Sequence, residues 1–221
     1  MVSQSDFMHD LRKELFAVLD ELFFFLVNDY NEEILELIEV LIAEMNISKE
    51  EEEAIFPQLV WWGTFCSPIG IEQKTIYQIY LQKNKHKLKK KRRQVQEVLV
   101  SWLQLNAGFY YVIEPEDEEA CVYYLCDVFE GKIRRLSIQR ELLQLPKSGE
   151  VLTGLLLPMG DDSYATLSGF YHIPQQLTQK IVQEIIPYFE RHAVSPNYKF
   201  NPHLYPSLIK YTLQMITESA R

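Results

Sequence analysis

Leu11, Leu15, Val18, Leu19, Leu22 and Leu26 recur at steps of three and four. That spacing lines one face of an α-helix and predicts a single helix over 4–29, with Ser5 or Asp6 as its cap. Phe23, Phe24 and Phe25 widen the stripe until nearly every face is apolar, so this end is either buried on several sides or docks something. Asn31 is the expected cap of a second helix, with Ile34, Ile38, Leu41, Ile42 and Met45 inward. Ser48-Lys49-Glu50-Glu51 has the Ser-x-x-Glu form of a capping box and opens a third helix leading to Trp61 and Trp62. Glu50 to Glu53 sit where the helix dipole favours negative charge. Ser67-Pro68-Ile69-Gly70 reads as a turn. A short helix over 75–80 follows, then a longer one over 87–105 in which Leu88, Val95 and Trp102 recur at seven.

After Asn106 aromatic and β-branched residues dominate, and the pattern predicts five strands, at 109–113, 121–127, 132–138, 151–158 and 164–171. Turns are expected at 114–119, at Phe129-Glu130-Gly131-Lys132 and at Gly160-Asp161-Asp162-Ser163, with a helical or irregular excursion over 139–147. Gly154 and Gly169 permit the bends that a curled sheet needs. Leu177, Ile181, Ile185 and Phe189 mark another helix, bent or ended by Pro187, and a loop at 195–202 precedes a last helix with Leu204, Leu208 and Leu213. The expected fold is α+β: a helical region over 1–107, a small five-stranded antiparallel barrel or curled sheet over 108–174, and carboxyl-terminal helices over 175–221 packing back.

Charge changes this picture in one place. The 221 residues carry a formal net charge of −9, which does not suit a protein that binds nucleic acid over its whole surface. Residues 1–60 hold 15 acids and three bases. Against them, KNKHKLKKKRR at 83–93 gathers eight of the chain's 22 Lys and Arg: Lys83, Lys85, Lys87, Lys89, Lys90, Lys91, Arg92 and Arg93. The run has three readings: a phosphate-binding patch, a dock for an acidic protein, or charges satisfied by the chain's own acidic helices. Cations in a first helical turn oppose the dipole by roughly 0.3–1 kcal/mol each, so something anionic is expected nearby.

Other chemistry is sparse. Cys66, Cys121 and Cys126 lack paired spacing, and no two histidines have metal-ligand spacing. The chain has no phosphate-binding loop, dinucleotide fingerprint, nucleophile elbow or HExxH. Asp161-Asp162 and the Asp127–Glu130 pair are explained by turn chemistry. The tyrosines of the strand region lack a basic groove that would make them a base-stacking platform. The opening MVSQSDFMHDLRKEL lacks the order of a signal peptide, and no apolar run is long enough to span a bilayer. No catalytic, cofactor or metal residue is assigned.

FPQLVWWGTFCSPIG, then KTIYQIYLQKN, then VSWLQL, then SGEVLTGLLLPMGDDSYATLSGFYHIP, over about 56–174, resembles a group of largely uncharacterised Gram-positive bacterial proteins. Many of these end in a SEC-C zinc-binding segment. This chain has no cysteine after Cys126, so the resemblance implies neither zinc nor a catalytic residue here. The resulting expectation is a cytoplasmic, non-enzymatic binding or regulatory protein that meets RNA or DNA phosphate through the basic run. The alternatives are an adaptor for an acidic protein, or an enzyme with a cleft between bundle and barrel, where carboxylates or histidines would converge.

Overall fold

The computed structural model describes residues 4–117, 121–138, 144–193 and 204–219. Helix α1 (Gln4–Asp29) buries Leu11, Leu15, Val18, Leu19, Leu22 and Leu26, the whole predicted stripe. Helix α2 (Asn31–Met45) returns beside it, with Tyr30 rather than Asn31 at the cap position and Asn46 closing it in a left-handed conformation. Helix α3 (Lys49–Cys66) starts with the predicted box: Ser48 Oγ accepts from Glu51 N, and Ser48 N donates to Glu51 Oε2. A second box, Thr75 with Gln78, opens α4 (Ile76–Lys83).

The expected long helix over 87–105 is broken. A one-turn helix α5 (Lys85–Leu88) is followed by a turn, and only then by α6 (Arg93–Ser101) and the 3-10 turn Trp102–Gln104. Gln96 Nε2 donates to Lys91 O at 2.7 Å and holds the turn in place. Helices α7 (Gln175–His192) and α8 (Leu204–Ser219) complete the helical layer, and α7 continues past Pro187 instead of ending there.

Among the described residues, seven strands replace the expected five: β1 (Ala107–Asp117), β2 (Val122–Asp127), β3 (Ile133–Ser137), β4 (Val151–Leu155), β5 (Leu157–Pro158), β6 (Ser163–Ala165) and β7 (Tyr171–Ile173). They form one mixed sheet, ordered β5-β6-β3-β2-β1-β4-β7. Among the described residues its ladder does not close, and β3 pairs with β6 in parallel, so the five-stranded antiparallel barrel is corrected. The predicted strand 164–171 divides because Thr166 Oγ1 donates to Gly169 O and Gly169 takes a positive φ of 76°. The two pieces then pair near opposite ends of the sheet. β4 and β5 also lie far apart in the order, yet one residue, Leu156, joins them, so the sheet must coil. β1 runs through the expected turn at 114–117, with register shifts after Val112 and Pro115. Residues 118–120, 139–143 and 195–202 of the expected turn, excursion and loop lie outside the described residues.

Alternation along the strands serves two cores. Ala107, Phe109, Val151 and Leu155 face the helices and join one large cluster with α1, α3, α6, α7 and α8. Tyr110, Val112, Leu125, Leu136, Leu152 and Leu156 fill the inside of the coil. The two layers are also tied by polar contacts: Trp102 Nε1 donates to Pro158 O at 2.9 Å, and Thr153 Oγ1 lies 3.1 Å from the Tyr205 hydroxyl. No helix among the described residues is long and apolar enough to cross a membrane.

Candidate functional site

The basic run winds along α1 in the opposite direction. Lys83 Nζ lies 3.4 Å from Asp29 Oδ2, Lys87 Nζ 2.7 Å from Glu21 Oε1, and Arg92 Nε 2.8 Å from Glu14 Oε1. Glu14, Glu21 and Asp29 share a face of α1 because they are spaced at seven and eight residues. Buried Leu88 pins the centre of the run against the core. Lys83 also lies over the rings of Phe25 and Tyr30, at 4.9 and 5.4 Å, and Arg92 over Phe7, at 5.1 Å. Three of the eight predicted cations are therefore paired within the chain, Lys83 and Lys87 at exposed positions and Arg92 at a half-buried one.

The other five turn outward. Arg93 pairs only with Glu97 one turn on and stays 88% exposed. Lys85, Lys89 and Lys90 are exposed and Lys91 is half-buried, and none of the four forms an ion pair among the described residues. Lys89, Lys90 and Lys91 lie in the turn just before α6, whose start has no side-chain cap and no acid in its first turn. Free backbone N–H groups and the dipole add positive potential there.

A second cluster lies at the seam between bundle and sheet, in a polar cavity of about 270 Å³. Asp127 Oδ1 accepts from the backbone N–H groups of Phe129 and Glu130 at 3.0 and 2.9 Å, the turn role expected of it. Its Oδ2 stands 4.0 Å from Arg134 Nη2. Arg134 also donates to Glu130 Oε2 at 3.1 Å and to the Tyr164 hydroxyl at 2.5 Å. Burial raises the Asp127 carboxyl above its usual value, outweighing the two N–H bonds that favour its charged form. The sequence reading treated Asp127 and Glu130 as turn residues only. Arg134 gave no local signal, because its partners Asp127, Glu130 and Tyr164 are assembled by the sheet.

The remaining groups are structural. Burial pushes the Cys66 thiol up to about 12, so it stays protonated. His172 Nδ1 lies 3.0 Å from Glu150 Oε1, with both side chains nearly enclosed. Phe25 packs between Tyr30 and Tyr80, whereas Phe23 leans on Trp61 and Phe24 points outward, so the phenylalanine run divides between core and surface. Among the described residues no group of three His, Cys, Asp or Glu is placed to hold a metal ion. The chain matches no protein-family model, no curated protein and no solved structure.

Proposed function

We propose that this is a cytoplasmic binding protein whose contact surface is the basic turn, through Lys85, Lys89, Lys90, Lys91 and Arg93, and whose partner is RNA or DNA phosphate. The observation that carries the reading is the division of the run: Lys83, Lys87 and Arg92 pair with α1, while Lys85, Lys89, Lys90 and Lys91 form no ion pair among the described residues and the last three lie just before the uncapped start of α6. Were the run wholly structural, the outer positions would need no charge. Binding of this kind is electrostatic and indifferent to sequence, because phosphate contacts carry no base information. The resemblance to the SEC-C-bearing group belongs to the same reading and contributes no site residue.

The test separates the two sets. One variant carries Lys85→Gln, Lys89→Gln, Lys90→Gln and Lys91→Gln, and a second carries Lys83→Gln and Lys87→Gln. Fluorescence anisotropy with mixed-sequence RNA and DNA is followed across a salt series. Four phosphate contacts give a slope of log K against log salt of about −3 to −4. The first variant is expected to lose binding and keep its melting temperature. If wild type binds neither nucleic acid but holds an acidic polypeptide through the same lysines, the partner is a protein. If it binds no polyanion, the reading fails.

A further inference from the structure

Helix α1 has a face that neither the core nor the basic run uses. His9, Lys13, Phe16, Ala17 and Asp20 fall on one side of it and form a wall of a groove of about 720 Å³, faced by Met159, Tyr164 and Ala165. Lys13 and Asp20 are exposed, and neither forms an ion pair among the described residues. The face continues into Phe23, Phe24 and Val27, which are 46%, 64% and 44% exposed. We propose that this face pairs, antiparallel, with the same face of a second copy of the chain, about a two-fold axis between Phe16 and Ala17.

The order of charges selects the occupant. Lys13 and Asp20 lie seven residues apart, so they point the same way and stand equally far from the midpoint between Phe16 and Ala17. Turning α1 end for end about that midpoint puts Lys13 opposite the second copy's Asp20, and Asp20 opposite its Lys13. The face is complementary to its own reversal, which is what a two-fold interface requires. A parallel pairing would set Lys13 against Lys13, and a foreign partner places no such condition on the face.

Side-chain size follows the same symmetry. Ala17 is small and exposed at the axis, where two helices must come closest, and the half-buried Phe16 lies beside its own copy there. His9 and Phe24 are also equally far from the midpoint, so the exposed Phe24 ring reaches the first turns of the second copy. Helices that cross at a packing angle diverge away from their contact point, and the largest exposed ring stands where that gap is wide. From His9 to Phe24 the seam is about 22 Å long. One helix per chain is a small contact for a permanent dimer, so dissociation is expected at about micromolar concentration. The basic run lies along another flank of α1, against Glu14 and Glu21, so the two surfaces are separate.

Sedimentation velocity on the full chain from about 1 to 100 μM reads the association. Wild type is expected to pass from monomer to dimer over that range. Lys13→Asp and Asp20→Lys each set like charges against each other and should weaken association about tenfold or more, with unchanged thermal melts because both positions are exposed. Mixed in equal amounts, the two variants again oppose acid to base at both contacts and should recover a heterodimer, and a chain carrying both substitutions should recover the homodimer. Phe24→Ala should weaken association and Val40→Ala, at an exposed position of α2, should not. A wild type that stays monomeric, single variants that dimerise as wild type does, a mixture that stays monomeric, or a loss at Val40 in place of Phe24 would overturn the proposal. The basic-turn reading is judged separately, by the nucleic-acid titration.

Discussion

Two aspartates in sheet turns respond to pH in opposite senses, and the reason is which atoms surround each. Burial alone would raise the Asp161 carboxyl, but hydrogen bonds from Ser163 and from Arg12, whose Nη2 lies 2.8 Å away, hold it below its usual 3.8. Its stabilising effect is present above the ordinary carboxylate range and is lost as pH falls through the depressed folded value. Asp127 is raised, so the native state holds its proton more tightly, and its charge costs stability once the pH exceeds the unfolded value. Urea melts between pH 3 and 7 should show Asp161→Asn about 1 kcal/mol less stable at pH 7, with little difference at pH 3. Asp127→Asn, which keeps the turn acceptor, should melt at the same or a higher temperature at pH 7. Asp127→Ala, which abandons two N–H groups, should lose about 1–3 kcal/mol. Turn chemistry at both positions was legible from the neighbouring glycines. The bond from Arg12 to Asp161 was not, because 149 positions separate the two residues.

Elements were legible where a local rule decides them. The Ser48 box needs only four residues, and the α1 stripe only its own periodicity, so both stand as expected. The helix over 87–105 failed because its break depends on Gln96 reaching back to Lys91 and on α1 drawing Arg92 aside. The barrel failed because strand counting cannot say that 163–165 and 171–173 separate to different partners. Gly63, in the last turn of α3, also had no reading in the sequence. Its absent side chain lets Ile34 of α2 pack against the α3 backbone, and an added Cβ would clash with Ile34 Cδ1. Gly63→Ala should therefore destabilise by about 1–3 kcal/mol despite its better helix propensity, and Ile34→Val in the same chain should recover part of the loss. If Gly63→Ala is neutral in chemical denaturation, the close approach of α2 and α3 is not what that glycine provides. Ser48→Ala should cost about 1 kcal/mol.

At the scale of the molecule, an acidic amino-terminal third and a basic island look in sequence like a dipole, but sequence cannot say how much of it is consumed internally. The fold divides it. Pairs from α1 to Lys83 and Lys87 are mostly exposed, and such pairs contribute about 0–1 kcal/mol and weaken in salt. Arg92 differs: it lies over Phe7 and against Glu14, and its buried Nη2 has no hydrogen-bond partner. Packing as well as charge is lost with it. The expected order of destabilisation is therefore Arg92→Gln first, at about 1–2 kcal/mol, then Lys83→Gln with Lys87→Gln at under about 1 kcal/mol, then the outer four lysines near zero. Raising salt from 50 to 500 mM should barely move the wild-type melting temperature while abolishing polyanion binding, because the exposed pairs contribute too little for their screening to show, whereas each phosphate contact loses its counterion-release gain. If the outer lysines instead prove the most destabilising to remove, the island is a structural clasp, and its charge has a purpose within the chain.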